Sequence, residues 1–153
     1  MFVETLPGLA VNDWMLLCIL ALLVCIPFVI GEEIMVRSWL VRAKPSFNRR
    51  TVFLVLISSV IFAALHLTLD PLLAGMHFVS GVAYAWAVVR LGGLEFAIGA
   101  HLGRNMIVEI LMTVPDRKFS PDGLIAALTA NIAASLVLIL IVEVIARRKS
   151  WQA

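Results

Sequence analysis

The sequence predicts an all-α fold, a polytopic bundle of about five membrane-spanning helices, and three observations carry that prediction. Of its 153 residues, 62% are hydrophobic and only 14% charged, against about 45–50% and about 25% in an average soluble domain. The apolar residues fall into five continuous runs, at 14–30, 51–69, 71–89, 94–114 and 124–146, each near the ~20 residues that one bilayer crossing takes. None alternates with period two, which removes a membrane barrel. Lipid offers the backbone no hydrogen-bond partners, so helices remain. The same composition excludes a soluble globular domain, and disorder and nucleic-acid binding need charge that this chain lacks.

Each element follows from local chemistry. The first run is helical by length and meets Pro27 late in its course. Cys18 and Cys25 lie seven residues apart on one face of it and read as small packing residues. Residues 1–13 contain no Lys or Arg and no small-residue cleavage site follows the run, so no signal peptide is expected. Asp70 and Pro71 stop the second run and start the third, since proline suits a first helical turn. Gly92 and Gly93 divide the third from the fourth, Pro115 ends the fourth, and the turn-rich stretch 120–123 precedes the fifth. No internal repeat or linker is visible, so residues 1–153 read as a single membrane domain with a fifth helix at 124–146.

Charge sets the orientation. Arg37, Arg42, Lys44, Arg49 and Arg50 lie between the first two runs, Arg90 between the third and fourth, and Arg147, Arg148 and Lys149 after the fifth. That is nine of the twelve basic residues on one face. The other face has Arg117 and Lys118, offset by Asp116 and Asp122. The positive-inside rule then puts the N-terminus outside and the C-terminus in the cytoplasm. Trp14, Trp39 and Trp151 fit an interfacial aromatic belt. A loop-poor chain of this bias reads as a protein of a bacterial plasma membrane.

Ionisable groups inside apolar runs are the informative residues of a membrane protein, because a centrally placed charge costs roughly 2.5–3.5 kcal/mol. In the segment 31–37, GEEIMVR, Arg37 stands one helical turn after Glu33 and can hold that carboxylate ionised. Glu32 then points about 100° away and is left for other work. His66 closes the second run in FAALH, behind Phe62. His101 and Asn105, in HLGRN, are one turn apart and can offer two donors to one oxyanion. Taken singly, each pattern has an ordinary reading: a solvated helix end, an interface histidine, an interhelical hydrogen bond. His77 matches no motif and reads as structural, Glu95 and Glu109 as helix-end residues, Glu143 as an ion pair with Arg147 one turn on. Arg104 fits either a structural role or contact with a substrate carboxylate.

Taken together the three patterns form a specific constellation: Glu-Glu-x-x-x-Arg, Phe-x-x-x-His and His-x-x-x-Asn in that order on successive helices. It resembles the CPBP family of intramembrane proteases, which comprises the type II CAAX prenyl endopeptidases (Rce1-like) and the bacteriocin-processing and immunity proteins of the Abi type. The resemblance covers residues 31–105, including the stretch from Phe78 through Gly92 and Gly93 to His101. Members of that family usually carry more helices before the first motif, where this chain has one, so a minimal member, a fragment or a chain that needs a partner subunit all fit. In the expected topology His66 lies toward the far end of its helix, whereas Glu32 and His101 lie in the cytoplasmic half.

The resemblance implies peptide-bond hydrolysis within the membrane. Glu32 would take a proton from water, helped by His66; Glu33 paired with Arg37 would orient the segment, with Phe62 in support; His101 and Asn105 would stabilise the tetrahedral oxyanion. A metal version uses Glu32, His66 and His101 as ligands for Zn²⁺ or another divalent ion with a fourth position open to water, although the chain has no His-Glu-x-x-His. The expected partners are the lipid bilayer and a membrane-associated or lipidated peptide. Two readings from other classes compete. A non-proteolytic scaffold or immunity protein would be favoured by loss of a motif residue, and none is lost. A proton-coupled transporter subunit predicts symmetry between halves, which is absent from the sequence.

Overall fold

A computed structural model describes residues 11–42, 48–112 and 121–150. Residues 1–10, the basic stretch around Lys44, the connection carrying Pro115, Arg117 and Lys118, and Trp151 lie outside the described residues, as do the side chains of Trp14, Cys18, Glu109 and Lys149. Five helices follow one another: α1 (Val11–Arg37), α2 (Arg49–Leu65), α3 (Pro71–Leu91), α4 (Glu95–Met112) and α5 (Pro121–Ser150). A 3-10 turn, Ser38–Arg42, extends α1. The all-α fold is as the apolar runs predict, and no strand occurs among the described residues.

The helix ends have local causes. Asn48 caps α2, its Oδ1 accepting from the Thr51 N–H at 2.8 Å. Asp70 caps α3 by accepting from the N–H groups of Leu72 and Leu73 at 2.8 and 3.2 Å, and Pro71 fills the first helical position. Gly92 ends α3 in the left-handed conformation at φ 76°, where a residue without Cβ carries no steric penalty. The second apolar run extends to Leu69, yet α2 stops at Leu65. His66 is its C-cap, Leu67 takes φ 49°, and Asp70 is extended, as a residue before proline must be. Apolar composition fixes membrane affinity, whereas the cap and the proline fix where the helix ends.

Helix α3 is the hub, packing against α2, α4, α5 and the 3-10 turn, while α1 lies along α4. Tyr84, Ala85, Ala87, Val88 and Val89 of α3 are buried. The small side chains among the buried residues of α3, Ser80, Gly81, Ala83, Ala85 and Ala87, let neighbouring backbones approach closely, the usual means of packing where lipid removes any hydrophobic drive between helices. At Gly81 an added Cβ would stand 3.1 Å from the Ser59 Cα and 3.2 Å from Phe62. By contrast, Leu23, Val24, Phe28, Leu136 and Leu140 point outward, the inside-out pattern of a helix facing lipid. The segments Ile19–Arg42, Pro71–Leu91 and Asp122–Arg148 are long and apolar enough to cross a membrane. Helix α2, with 17 residues, rises only about 25 Å against a hydrocarbon core of about 30 Å. Helix α4 carries Glu95, His101 and Arg104 within its length.

The level of His66 is decided by a contact rather than by chain order. Ser58 Oγ donates to the Val36 carbonyl at 3.3 Å, so α2 begins two and a half turns beyond the end of α1 instead of level with it. The 3-10 turn supplies that slack, with Leu40 buried against the hub. Phe62 thereby reaches the level of Glu33 and Arg37, and His66 stands one turn further on.

Candidate active site

Helix α1 brings two carboxylates and a guanidinium into an interior with almost no solvent. Glu33, Arg37 and His101 are each 0% exposed and Glu32 only 9%. The i,i+4 spacing expected to pair Glu33 with Arg37 does so: Arg37 Nη1 donates to Glu33 Oε1. The same oxygen accepts from His101 Nδ1 at 2.9 Å, across 68 residues of chain. Two donors on one carboxylate oxygen offset the burial of its charge. The guanidinium lies over the Phe62 ring at 4.4 Å and near the Tyr84 ring at 5.5 Å, so two aromatic faces receive the rest of its charge.

His101 is fixed on both sides of its ring. With Nδ1–H given to Glu33, Nε2 keeps its lone pair and accepts from Asn105 Nδ2 at 3.2 Å. Glu32 Oε2 stands 3.7 Å from Nε2, buried and without a hydrogen-bond partner. Tyr84 stacks on the imidazole with centroids 5.2 Å apart and planes 20° from parallel, and Phe62 meets it edge-on at 5.2 Å. Phe62 is thus the packing centre of the site. It also meets His66 edge-on at 4.7 Å, Tyr84 at 6.1 Å and His77 at 6.4 Å.

His66 donates from Nδ1 to the Phe62 carbonyl at 2.8 Å, one turn back on its own helix. In the neutral imidazole that tautomer makes Nε2 the acceptor nitrogen. His77 stacks on the other imidazole with centroids 3.6 Å apart and planes 26° apart, and its Nδ1 is buried without a partner. Sequence reasoning assigned His77 no place here; the signal was its position one helix after His66 in a chain with only three histidines. Tyr84 was missed as well, although it is the single tyrosine and interrupts an apolar run.

The motif residues therefore fall into two adjoining layers. Glu32, Glu33, Arg37, Phe62 and His101 form one, and His66 and Asn105 stand a turn beyond. Among the described residues no three His, Cys, Asp or Glu side chains converge as metal ligands. Glu32 and His101 approach each other, but His66 does not join them in one donor set.

Away from this site, Glu143, expected from spacing to pair with Arg147, has its ion pair with Arg90 on α3. It receives Arg90 in bidentate fashion, Nε to Oε1 at 2.7 Å and Nη2 to Oε2 at 2.8 Å, and accepts from Trp86 Nε1 at 3.0 Å. Ser80 and Asn131 pair between α3 and α5, Nδ2 donating to Oγ at 3.0 Å. These two links lock α5 to the hub, which in turn holds Tyr84 against His101.

Residues 12–107 match the family model described as type II CAAX prenyl endopeptidase Rce1-like. Over 89 residues the chain is 26% identical to the uncharacterized protein YyaK of Bacillus subtilis (strain 168). That similarity covers 54% of this chain and 30% of YyaK, so the chain spans about 30% of the length of the curated relative it matches. No solved structure matches. The matched segment runs through α1, α2 and α3 and into α4 past Asn105, so it holds all three motifs and every contact of the buried Glu33–His101 pair. The chain is a multi-pass membrane protein and belongs to the Rce1-like family of type II CAAX prenyl endopeptidases.

Proposed function

We propose that the chain is an integral-membrane endopeptidase that hydrolyses a peptide bond of a membrane-associated or lipidated peptide. The observation that carries this reading is the orphaned Glu32 Oε2, buried and facing His101 Nε2 across 3.7 Å. An unpartnered buried carboxylate oxygen is costly, and a water about 2.8 Å from both atoms would satisfy it within ordinary hydrogen-bond geometry. Glu32 then acts as the general base that takes a proton from this water. His66, with Nε2 free, receives or returns a proton on the neighbouring layer.

Glu33 and Arg37 act on position rather than on the reacting atoms. Glu33 directs the His101 ring, and the proton that Glu32 takes from water can pass to Nε2, 3.7 Å away, which makes that nitrogen a donor. Asn105 Nδ2–H is then released from Nε2, and the two groups, 3.2 Å apart, meet the oxyanion that develops on the scissile carbonyl. Donors already oriented in a dry site need no reorganisation as charge develops there. Among the described residues no three such side chains converge, and no step of this reading is routed through a metal. In this reading the membrane is a bacterial plasma membrane, with the basic ends of α1, α3 and α5 in the cytoplasm.

Cleavage and metal content, measured on one detergent-purified sample, test the proposal with Glu32→Gln and His66→Ala as comparisons. Wild type is expected to cut a lipidated peptide while both variants stay folded and lose activity by 10²-fold or more, the range expected for loss of a general base. Peptide binding without cleavage in wild type, equal in the variants, overturns the catalytic assignment and favours a scaffold or immunity role. Stoichiometric zinc that disappears together with activity on His101→Ala overturns the metal-free chemistry.

A further inference from the structure

Helix α3 carries none of the three motifs, yet it gives both motif histidines a ring to lie against. His77 stacks on His66 with centroids 3.6 Å apart, and Tyr84 stacks on His101 at 5.2 Å. Tyr84 follows His77 by seven residues, so the two stand within about 20° of one another around α3 and about 10.5 Å apart along its axis. Gly81 falls between them on the same face. An added Cβ there would lie 3.2 Å from Phe62 Cδ1, so the missing side chain is what seats the Phe62 ring. Phe62 meets the two α3 rings edge-on at nearly equal distances, 6.4 Å to His77 and 6.1 Å to Tyr84. This face of α3 is a platform, a slot and a second platform.

A histidine needs such a platform because its own rotamer preference does not fix the plane of its ring. The torsion that turns an imidazole is broad, where the torsions of aliphatic chains fall into narrow wells. A hydrogen bond to one ring nitrogen holds that atom and still leaves the ring able to turn about it. His66 has such a bond, Nδ1 to the Phe62 carbonyl at 2.8 Å, at the C-cap of its helix. His101 has Nδ1 on Glu33 at 2.9 Å, and Asn105 meets its Nε2 at 3.2 Å. Phe62 bounds both imidazoles edge-on, at 68° and 83°. The α3 rings lie nearly parallel to them, at 26° and 20°. His77 gives no hydrogen bond from its buried Nδ1, so on that side its contribution is its face.

We propose that His77 and Tyr84 are positioning residues, each holding the plane of one catalytic imidazole by stacking on it, His77 for His66 and Tyr84 for His101, with Gly81 admitting Phe62 between the two pairs. In the protease reading, on which this rests, Tyr84 keeps His101 Nε2 turned toward Glu32 Oε2, 3.7 Å away. His77 keeps the acceptor nitrogen of His66 in one direction while a proton moves to it. Neither α3 ring exchanges a proton or touches the substrate. What the site takes from these two positions is an aromatic face, so phenylalanine serves at both and an aliphatic side chain at neither.

The full chain in detergent, with ¹⁵N in its histidine rings, tests this through two-bond nitrogen–proton correlations, which tell one imidazole tautomer from the other. His66→Gln and His101→Gln assign the signals. Wild type, His77→Phe and Tyr84→Phe are expected to show His66 and His101 each as a single Nδ1–H tautomer. His77→Leu is expected to release His66 into a mixture of tautomers and leave His101 unchanged, and Tyr84→Leu to do the reverse. A general loss of stability would not produce that reciprocity. On a peptide that wild type cleaves, each leucine variant is expected to lower kcat about tenfold to a hundredfold with KM unchanged, since about 1 Å of misplacement suffices for the larger loss. The phenylalanine variants restore kcat. Where a leucine variant fails to fold, methionine at the same position fills the space without a ring and takes its place. An imidazole unmoved by loss of its own platform, or moved equally by loss of the other, overturns the proposal. So does an unchanged kcat in either leucine variant, or a phenylalanine variant no better than leucine. A chain that cuts no peptide loses the protease reading, while the imidazole spectra still decide the platforms.

Discussion

Replacing Arg37 by Met removes a guanidinium and leaves a side chain of similar length between Phe62 and Tyr84, so the packing survives and the charge does not. Glu33 is then a fully buried carboxylate with His101 as its single donor. Breaking a buried ion pair by removing one partner costs about 3–5 kcal/mol in soluble proteins. Polar pairs in membrane proteins average about 0.6 kcal/mol, because the unfolded chain in the membrane also finds partners. The first figure governs here. Those averages describe exchangeable polar contacts, whereas Glu33 is 0% exposed and shares one oxygen between Arg37 and His101. We expect Arg37→Met to cost about 3 kcal/mol, and Glu33→Gln, which strands the guanidinium, a similar amount. Removing both charges in Glu33→Gln/Arg37→Met should cost about 1–2 kcal/mol, well below the sum of the two single changes. Reversible unfolding in mixed micelles with rising dodecyl sulfate, followed by helical circular dichroism, measures all three. A single Arg37→Met cost under about 1 kcal/mol, or simple additivity in the double variant, would refute the claim that this pair is buried and coupled.

Three further outcomes follow from the packing. Gly81→Val adds a branched side chain where even a Cβ meets the Ser59 backbone at 3.1 Å; it should destabilise by about 1–3 kcal/mol and, by displacing Phe62, reduce activity more than stability alone explains. Glu143→Gln loosens the Arg90 and Trp86 contacts, but with those ion-pair side chains 21% and 27% exposed the cost should stay near 1 kcal/mol or below, read as a small fall in Tm. Asp70→Ala removes the acceptor of two α3 N–H groups and should cost about 1 kcal/mol, with faster hydrogen exchange confined to the first turn of α3. A fall in Tm for Glu143→Gln as large as that for Arg37→Met would show that burial is not what separates the two ion pairs.

Much of the site is legible in the chain because it depends on spacing within one helix. Glu33 and Arg37, His101 and Asn105, and Phe62 and His66 each sit four residues apart, and each pair meets in the structure as helical periodicity requires. The roles of those pairs change once the helices assemble. Asn105 donates to His101 instead of standing beside it as an independent donor, because Glu33 has already drawn the ring proton to Nδ1. Glu143 looks local beside Arg147, yet its bidentate partner is Arg90, 53 residues away. Periodicity ranks neighbours on one helix and is silent about the helix packed against it.

Composition and punctuation by themselves determined that this protein is a helical membrane bundle, that Asp70 and Gly92 bound its central helix, and that Glu33 pairs with Arg37. Those properties follow from transfer energies and from hydrogen bonds that close within a few residues. Tertiary structure alone decided the level at which α2 packs, and hence that His66 reaches the site through Phe62. It also decided the stacking of His77 on His66 and of Tyr84 on His101, and the burial of Glu32 Oε2 without a partner. These depend on relative translation and rotation of helices, which are set by close packing at small residues such as Gly81 and by the slack of the 3-10 turn. In lipid, neither hydrophobic pattern nor propensity distinguishes one such translation from the next, so only the packed interface selects it.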